Sequence, residues 1–241
     1  MVDVIFASYF TKNINFHQHD SSNNGKGGSL PDDFNQIKSW YQSIQKLNLN
    51  AVIFHNELTQ DFIQKYSTKQ ISFSYWESKN RLSYNDERFY CYLNYLKEHK
   101  DIERVFCTDL YDVIFYNNPF LLMTDKKDYS LFVGSESPSK SSAQWMIRKC
   151  KEMNYKTSRN NFSSSPLYNA GIIGGNRKII IGLFESMTEE MKSVSQQFNS
   201  NMPVFNYCVE KLNDVKIFTG YPLHNVFKSN RVTDGVYIKH K

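Results

Sequence analysis

The chain has 241 residues, of which 40% are hydrophobic and 15% aromatic. That composition excludes a disordered polar chain, and the length is ample for one large α/β domain with its own core. The net charge of +5 is mild, and Lys and Arg are spread without a long basic block, which argues against nucleic acid and for an anionic small molecule as partner.

Residues 2–9, Val-Asp-Val-Ile-Phe-Ala-Ser-Tyr, read as a strand by their β-branched and aromatic content. The small pair Ala7 and Ser8 near its end lets a ligand approach the backbone, or simply allows a tight strand exit. Residues 11–33 are a polar loop; Gly25-Lys26-Gly27-Gly28-Ser29 lacks the order of a phosphate loop, and His17 and His19 read as solvated. Pro31-Asp32-Asp33 starts a helix running to about residue 47, with Phe34, Ile37, Trp40, Tyr41 and Ile44 as its core stripe. A buried strand follows at 51–55, with His55 a core histidine. A helix over 59–66, a strand over 71–75 and a helix over 85–98 come next. Strands alternating with helices predict βαβ units, and so an α/β fold with a mixed, mainly parallel sheet flanked by helices in one domain. Arg88 stands in the first turn of the 85–98 helix, against the helix dipole, so it needs a partner; a salt bridge to Asp86 or Glu87 is one account.

The strongest feature is the stretch 103–120. The apolar run Val105-Phe106-Cys107 ends abruptly in Asp109 and Asp112 before a second run, Val113-Ile114-Phe115. Carboxylates at the end of a core strand need neutralising, and no Lys or Arg lies between Arg104 and Lys126 to do so within the segment. A hard divalent cation would, since magnesium or manganese is commonly held by one or two carboxylates plus substrate phosphates. The alternative is that Asp109 caps a turn and Asp112 is solvated.

A strand over 129–136 ends in Gly134, Ser135 and Glu136, and the Ser- and Lys-rich stretch 137–165 reads as a lid or, around Trp145, as a packed helix start. Asn169-Ala170-Gly171 opens an apolar strand closed by Gly174 and Gly175, offering amide bonds and close backbone approach to a ligand, or a turn that needs glycine to bend. Helices are predicted over 179–198 and from Met202 onward. Two late histidines, His224 after Tyr221-Pro222-Leu223 and His240 after Tyr237-Ile238-Lys239, are candidates for a third metal ligand, and we take His240. Cys91, Cys107, Cys150 and Cys208 lie far apart, three of them among apolar residues, and read as free thiols of a reducing compartment. With no basic leader and no run of membrane-spanning length, a cytoplasmic protein with no membrane span is expected.

Phe106-Cys107-Thr108-Asp109-Leu110-Tyr111-Asp112-Val113-Ile114-Phe115 resembles the metal-binding motif of GT-A fold nucleotide-sugar glycosyltransferases. The Asp-x-Tyr-Asp-Val form is most similar to that of the glycosyltransferase domains of collagen-modifying lysyl hydroxylases and related viral or bacterial enzymes. Ala7-Ser8-Tyr9, Asn169-Ala170-Gly171 and Tyr237-Ile238-Lys239-His240 fall in that family's order, so the resemblance spans nearly the whole chain. It implies a manganese (or magnesium) ion on Asp109, Asp112 and His240, and a nucleotide-sugar donor, a UDP-sugar. It also implies a glycan or protein acceptor. Catalysis would involve Asp109, Asp112 and Asn169; the donor would meet Ala7, Ser8, Tyr9, Arg88, Tyr111, Gly171 and Lys241, with Tyr111 stacked on the uracil and Arg88 facing the nucleotide. Residues 1–115 would form the nucleotide-binding half and 116–241 the acceptor-binding half. One departure stands out: relatives carry an aspartate near the start of the helix that begins about Met202, where this chain has Asn199, Ser200 and Asn201. An amide is no acid, base or nucleophile. That keeps a non-catalytic sugar-nucleotide-binding relative in view, besides a nucleotidyl- or phosphotransferase built on the same metal pair.

Overall fold

The computed structural model describes residues 2–11, 32–77, 83–124, 129–136, 140–153, 167–194, 199–225 and 232–240. The first half alternates as the apolar pattern requires: β1 (Val2–Tyr9), α1 (Phe34–Lys46), β2 (Ala51–His55), α2 (Gln60–Tyr66), β3 (Ile71–Tyr75), α3 (Tyr84–Glu98) and β4 (Ile102–Thr108). The second half holds β5 (Val113–Phe115), a 3-10 turn (Pro119–Met123), β6 (Ser130–Ser135), α4 (Lys140–Glu152) and β7 (Tyr168–Asn176). It continues with α5 (Arg177–Ser193), α6 (Asn201–Glu210), β8 (Lys216–Phe218) and β9 (Ile238–His240). Helix starts follow their capping residues: the side chains of Asp33, Thr59, Ser83 and Asn176 accept from the backbone N–H groups of Asn35, Phe62, Asp86 and Ile179. Helix α5 stops at Ser193, short of the expected 198, because Val194 is already extended.

Seven strands form one sheet in the order β3-β2-β1-β4-β7-β6-β8. The first four are mutually parallel, β7 runs antiparallel to both β4 and β6, and β8 is parallel to β6. The fold is thus a single α/β domain with a mixed, mostly parallel sheet and helices on its faces. Alternation along β1 feeds two cores: Val4 and Phe6 join Phe89, Phe184 and Phe205 on the α3, α5 and α6 side, while Ile5 and Ala7 join Trp40 and Phe106 on the α1 side. Trp40 is core, as its place on the helical stripe predicts. The four cysteines are buried free thiols, and among the described residues no helix is long and apolar enough to cross a membrane. Strands β5 and β9 form a separate antiparallel pair.

The expectation that Asp86 or Glu87 pairs with Arg88 is corrected here. Asp86 is fully buried, and both its oxygens accept from the Ser200 backbone N–H at 3.0 and 3.1 Å, capping α6 from another helix because Ser200 makes no side-chain cap of its own. Burial outweighs these bonds and pushes the Asp86 pKa up to about 6. Its folded pKa lies above its unfolded one, so the stability it contributes is present near pH 4 and lost as pH rises through about 6. Wild type should therefore lose about 2 kcal/mol relative to Asp86→Asn between pH 4 and pH 7. Urea midpoints of both proteins at the two pH values measure this, and a constant difference would show that Asp86 does not titrate in that window.

Candidate metal centre

The centre is built where β4 ends. Thr108 is fixed by its hydroxyl, which accepts from the Trp40 indole N–H at 2.9 Å. Asp109 donates its backbone N–H to Gly171 O at 3.0 Å, carrying the β4–β7 ladder one residue past the strand. Leu110 then turns inward and Tyr111 outward, and Val113 and Phe115 anchor the far side in the core. In the β5–β9 pair Val113 stands opposite His240, so the register delivers this histidine beside Asp112. His240 Nε2 lies 3.3 Å from Asp109 Oδ2 and 3.5 Å from Asp112 Oδ1. Asp109, Asp112 and His240 offer ligand atoms that all lie within 4.8 Å of one another. His240 is buried and both aspartates are half-buried.

Arg88 pairs with Asp109 Oδ1 and donates to Ala170 O at 3.3 Å. The positive partner that the 103–120 segment lacks therefore arrives from α3. Asp109 divides its oxygens, Oδ1 toward Arg88 and Oδ2 toward His240. Burial alone would raise the Asp109 pKa, but the Arg88 charge and the His240 bond hold its carboxyl well below the usual carboxylate range. Burial would lower the His240 pKa; the bonds to Asp109 and Asp112 reverse this and push it up to about 9, so at neutral pH a proton bridges the carboxylates. A cation would take that proton's place.

Gly171 lies against two of these groups, His240 and Asp109, and against Asn169. A Cβ built on it would collide with His240 Cε1 and stand 2.6 Å from Asp109 Oδ2 and 2.9 Å from Asn169 Oδ1. Close approach, not backbone conformation, is what demands glycine here, since its φ is not in the left-handed region. Asn169 is buried; its Oδ1 accepts from Gly171 N at 2.7 Å and its Nδ2 donates to Glu136 Oε1 at 2.6 Å. Asn206 clasps Tyr168 N and O at 3.0 and 2.9 Å, so α6 braces the start of β7.

The donor set fits a hard or borderline divalent cation. Two carboxylates and one imidazole suit manganese, and magnesium less well because of the nitrogen. With Arg88 present, a bound divalent ion would leave the cluster net positive, suited to a diphosphate.

The other candidates fall as follows. Tyr111 is 44% exposed and meets the buried Tyr9 edge-on, with centroids 5.9 Å apart. Tyr9 donates its hydroxyl to Asp33 O at 3.1 Å, tying β1 to the start of α1. Ala7 is buried beneath the strand end, and Ser8 is partly exposed. His224 is not brought to the cluster: its Nε2 accepts from the backbone N–H groups of Ser135 and Gly220 at 3.1 Å each, which leaves no lone pair there for a metal. Its Nδ1 bonds to Asn225 O. Lys241, His17, His19 and the 25–29 loop lie outside the described residues, as does much of 137–165, while Trp145 falls within α4. Glu136 is given no role by the sequence beyond ending its strand, although an acid at the end of an apolar strand is the same signal that marks Asp109. No protein-family model matches the chain, and no curated protein matches it either.

Proposed function

We infer that the chain is a metal-dependent glycosyltransferase that moves a sugar from a nucleoside-diphosphate sugar, a UDP-sugar, to a hydroxyl of a glycan or protein acceptor. The observation that carries this reading is the convergence of Asp109, Asp112 and His240 on one another beside Gly171 at the carboxyl end of β4, the end of the strands of an open α/β sheet where ligands gather. The resemblance of the 106–115 motif to GT-A glycosyltransferases supplies the substrate class.

In this reading Asp109, Asp112 and His240 would hold manganese, which would supply Lewis-acid stabilisation of the charge on the departing nucleoside diphosphate. Arg88 locks the Asp109 carboxylate in place, so the ligand does not have to be ordered when the donor arrives. Tyr111, braced by Tyr9, presents its ring to the uracil, and Ala7 and Ser8 leave room beside it. We assign the acceptor hydroxyl's proton to Glu136, whose Oε1 accepts from Asn169 Nδ2, since Asn199, Ser200 and Asn201 offer no carboxylate. A protein that binds sugar nucleotides without turnover is the second reading, favoured by those same amides.

Incubation with manganese and a panel of nucleotide sugars, with detection of free nucleoside diphosphate, separates the two. Manganese-dependent release supports the transferase, and binding without release supports the second reading. A smaller result is expected at Tyr111. A base stacked on an aromatic contributes about 1–3 kcal/mol, so Tyr111→Ala should weaken uridine diphosphate binding roughly tenfold while Tyr111→Phe is near neutral. Calorimetry would show equal affinity for all three proteins if the ring does not meet the base.

A further inference from the structure

A second candidate site lies near the opposite end of the β4–β7 strand pair. A cavity of about 410 Å³ opens over the first turns of α5 and the α6–β8 connection, its walls formed by Ile179, Leu183, Leu212 and Val215. Asn176, also on its lining, pairs with Arg104, five ladder steps from the Asp109–Gly171 contact. At about 3.3 Å per residue the cavity is roughly 17 Å from the metal centre along the strand. Its volume is that of a small-molecule site, not of a packing defect.

Two independent features say what it would hold. The first is Gly182, inside the 17-residue helix α5 and on the cavity lining. Glycine in a helix interior is destabilising relative to alanine, and close approach of a neighbour is one reason to keep it. At Gly174 that neighbour is the Phe106 ring; at Gly182 a Cβ would meet nothing within 4 Å. Gly182 is exposed and a Cβ there would stand in open space, so the missing side chain serves no packing and leaves the mouth of the hollow wider.

The second feature is charge. The first turn of α5 carries Arg177 and Lys178 and no acid, which sets two cations at the positive end of a helix. Arg177 is occupied, donating to Leu96 O at 2.9 and 2.7 Å, whereas Lys178 is exposed, lines the cavity and has no ion-pair partner among the described residues. An anion at Lys178 would relieve both the like charges and the dipole.

We propose that this cavity binds a small apolar monocarboxylate, of the fatty or arylalkanoic acid class, with its carboxylate at Lys178 and its apolar body over Gly182. The probe is decanoate, titrated into the full chain by calorimetry, with decanol as the uncharged control. Saturable binding of one decanoate is expected, weakened about tenfold by Lys178→Glu and about tenfold weaker for decanol. Gly182→Leu fills the hollow and should abolish binding while leaving manganese-dependent uridine diphosphate binding unchanged. If that variant does not fold, Gly182→Ala, which should raise thermal stability, is expected to reduce decanoate affinity. Absence of saturable binding, equal affinity for decanol, or full affinity in a folded Gly182 variant would overturn the proposal.

Discussion

Asp112→Asn should leave the fold intact and abolish manganese-dependent release of nucleoside diphosphate. The choice of residue follows from the electrostatics. Asp109 is paired with the buried Arg88, so removing its charge would strand a buried guanidinium, a loss of about 3–5 kcal/mol of stability that would confuse any reading of activity. The Asp112 side chain is 40% exposed, and His240 keeps Asp109 when Asp112 is neutralised. Asparagine matches its shape but gives up the anionic oxygen that a hard cation prefers. A Lewis acid stabilises the transition state by several kcal/mol, so turnover should fall roughly a thousandfold with a thermal midpoint close to wild type. Undiminished turnover would remove Asp112 from the centre.

The second large effect is expected at Gly171. Alanine there needs no unusual backbone, so what it changes is space: its methyl would occupy the point on which His240, Asp109 and Asn169 converge. None of the three can easily retreat. His240 is held in β9 opposite Val113, Asp109 is fixed by Arg88, and Asn169 is bonded to both Glu136 and the Gly171 N–H. Overpacking of this kind typically destabilises by about 1–3 kcal/mol. The larger consequence falls on metal affinity, because spreading the ligands by even a few tenths of an ångström spoils their common focus. Gly171→Ala should therefore bind manganese more than about tenfold more weakly, as read by calorimetry on folded protein. Wild-type affinity in the variant would mean that His240 and Asp109 do not act on one ion.

Much of the frame was legible because periodicity carries it. The apolar runs of β1, β2 and β4 and the stripe Phe34, Ile37, Trp40, Tyr41 and Ile44 state their own secondary structure. What periodicity does not encode is direction and distance. The apolar run of β7 says nothing of its antiparallel course, although that course is what sets Gly171 against Asp109. Strands β8 and β9 are three residues each, too short for a pattern, and β9 is recognisable only through its pairing with β5. Arg88 and Asp109 are 21 residues apart on different elements, so the helix dipole shows that Arg88 needs a partner but not which one, and Asp86 and Glu87 are merely the nearest acids in sequence. Asp86 in turn serves α6, more than 100 residues away. The separation of His240 from His224 came from the family-like order of the C-terminal residues; the hydrogen bonds that occupy His224 Nε2 depend on a turn that no spacing foretells.

The most direct test of the metal centre is a calorimetric titration of manganese into the full chain at pH 8, with and without uridine diphosphate. One ion per chain is expected, bound more tightly when the nucleotide is present, with binding severely weakened in His240→Ala and unaffected in a folded His224 variant. Failure of wild type to bind manganese in the presence of uridine diphosphate, or full binding by His240→Ala, would contradict the metal assignment.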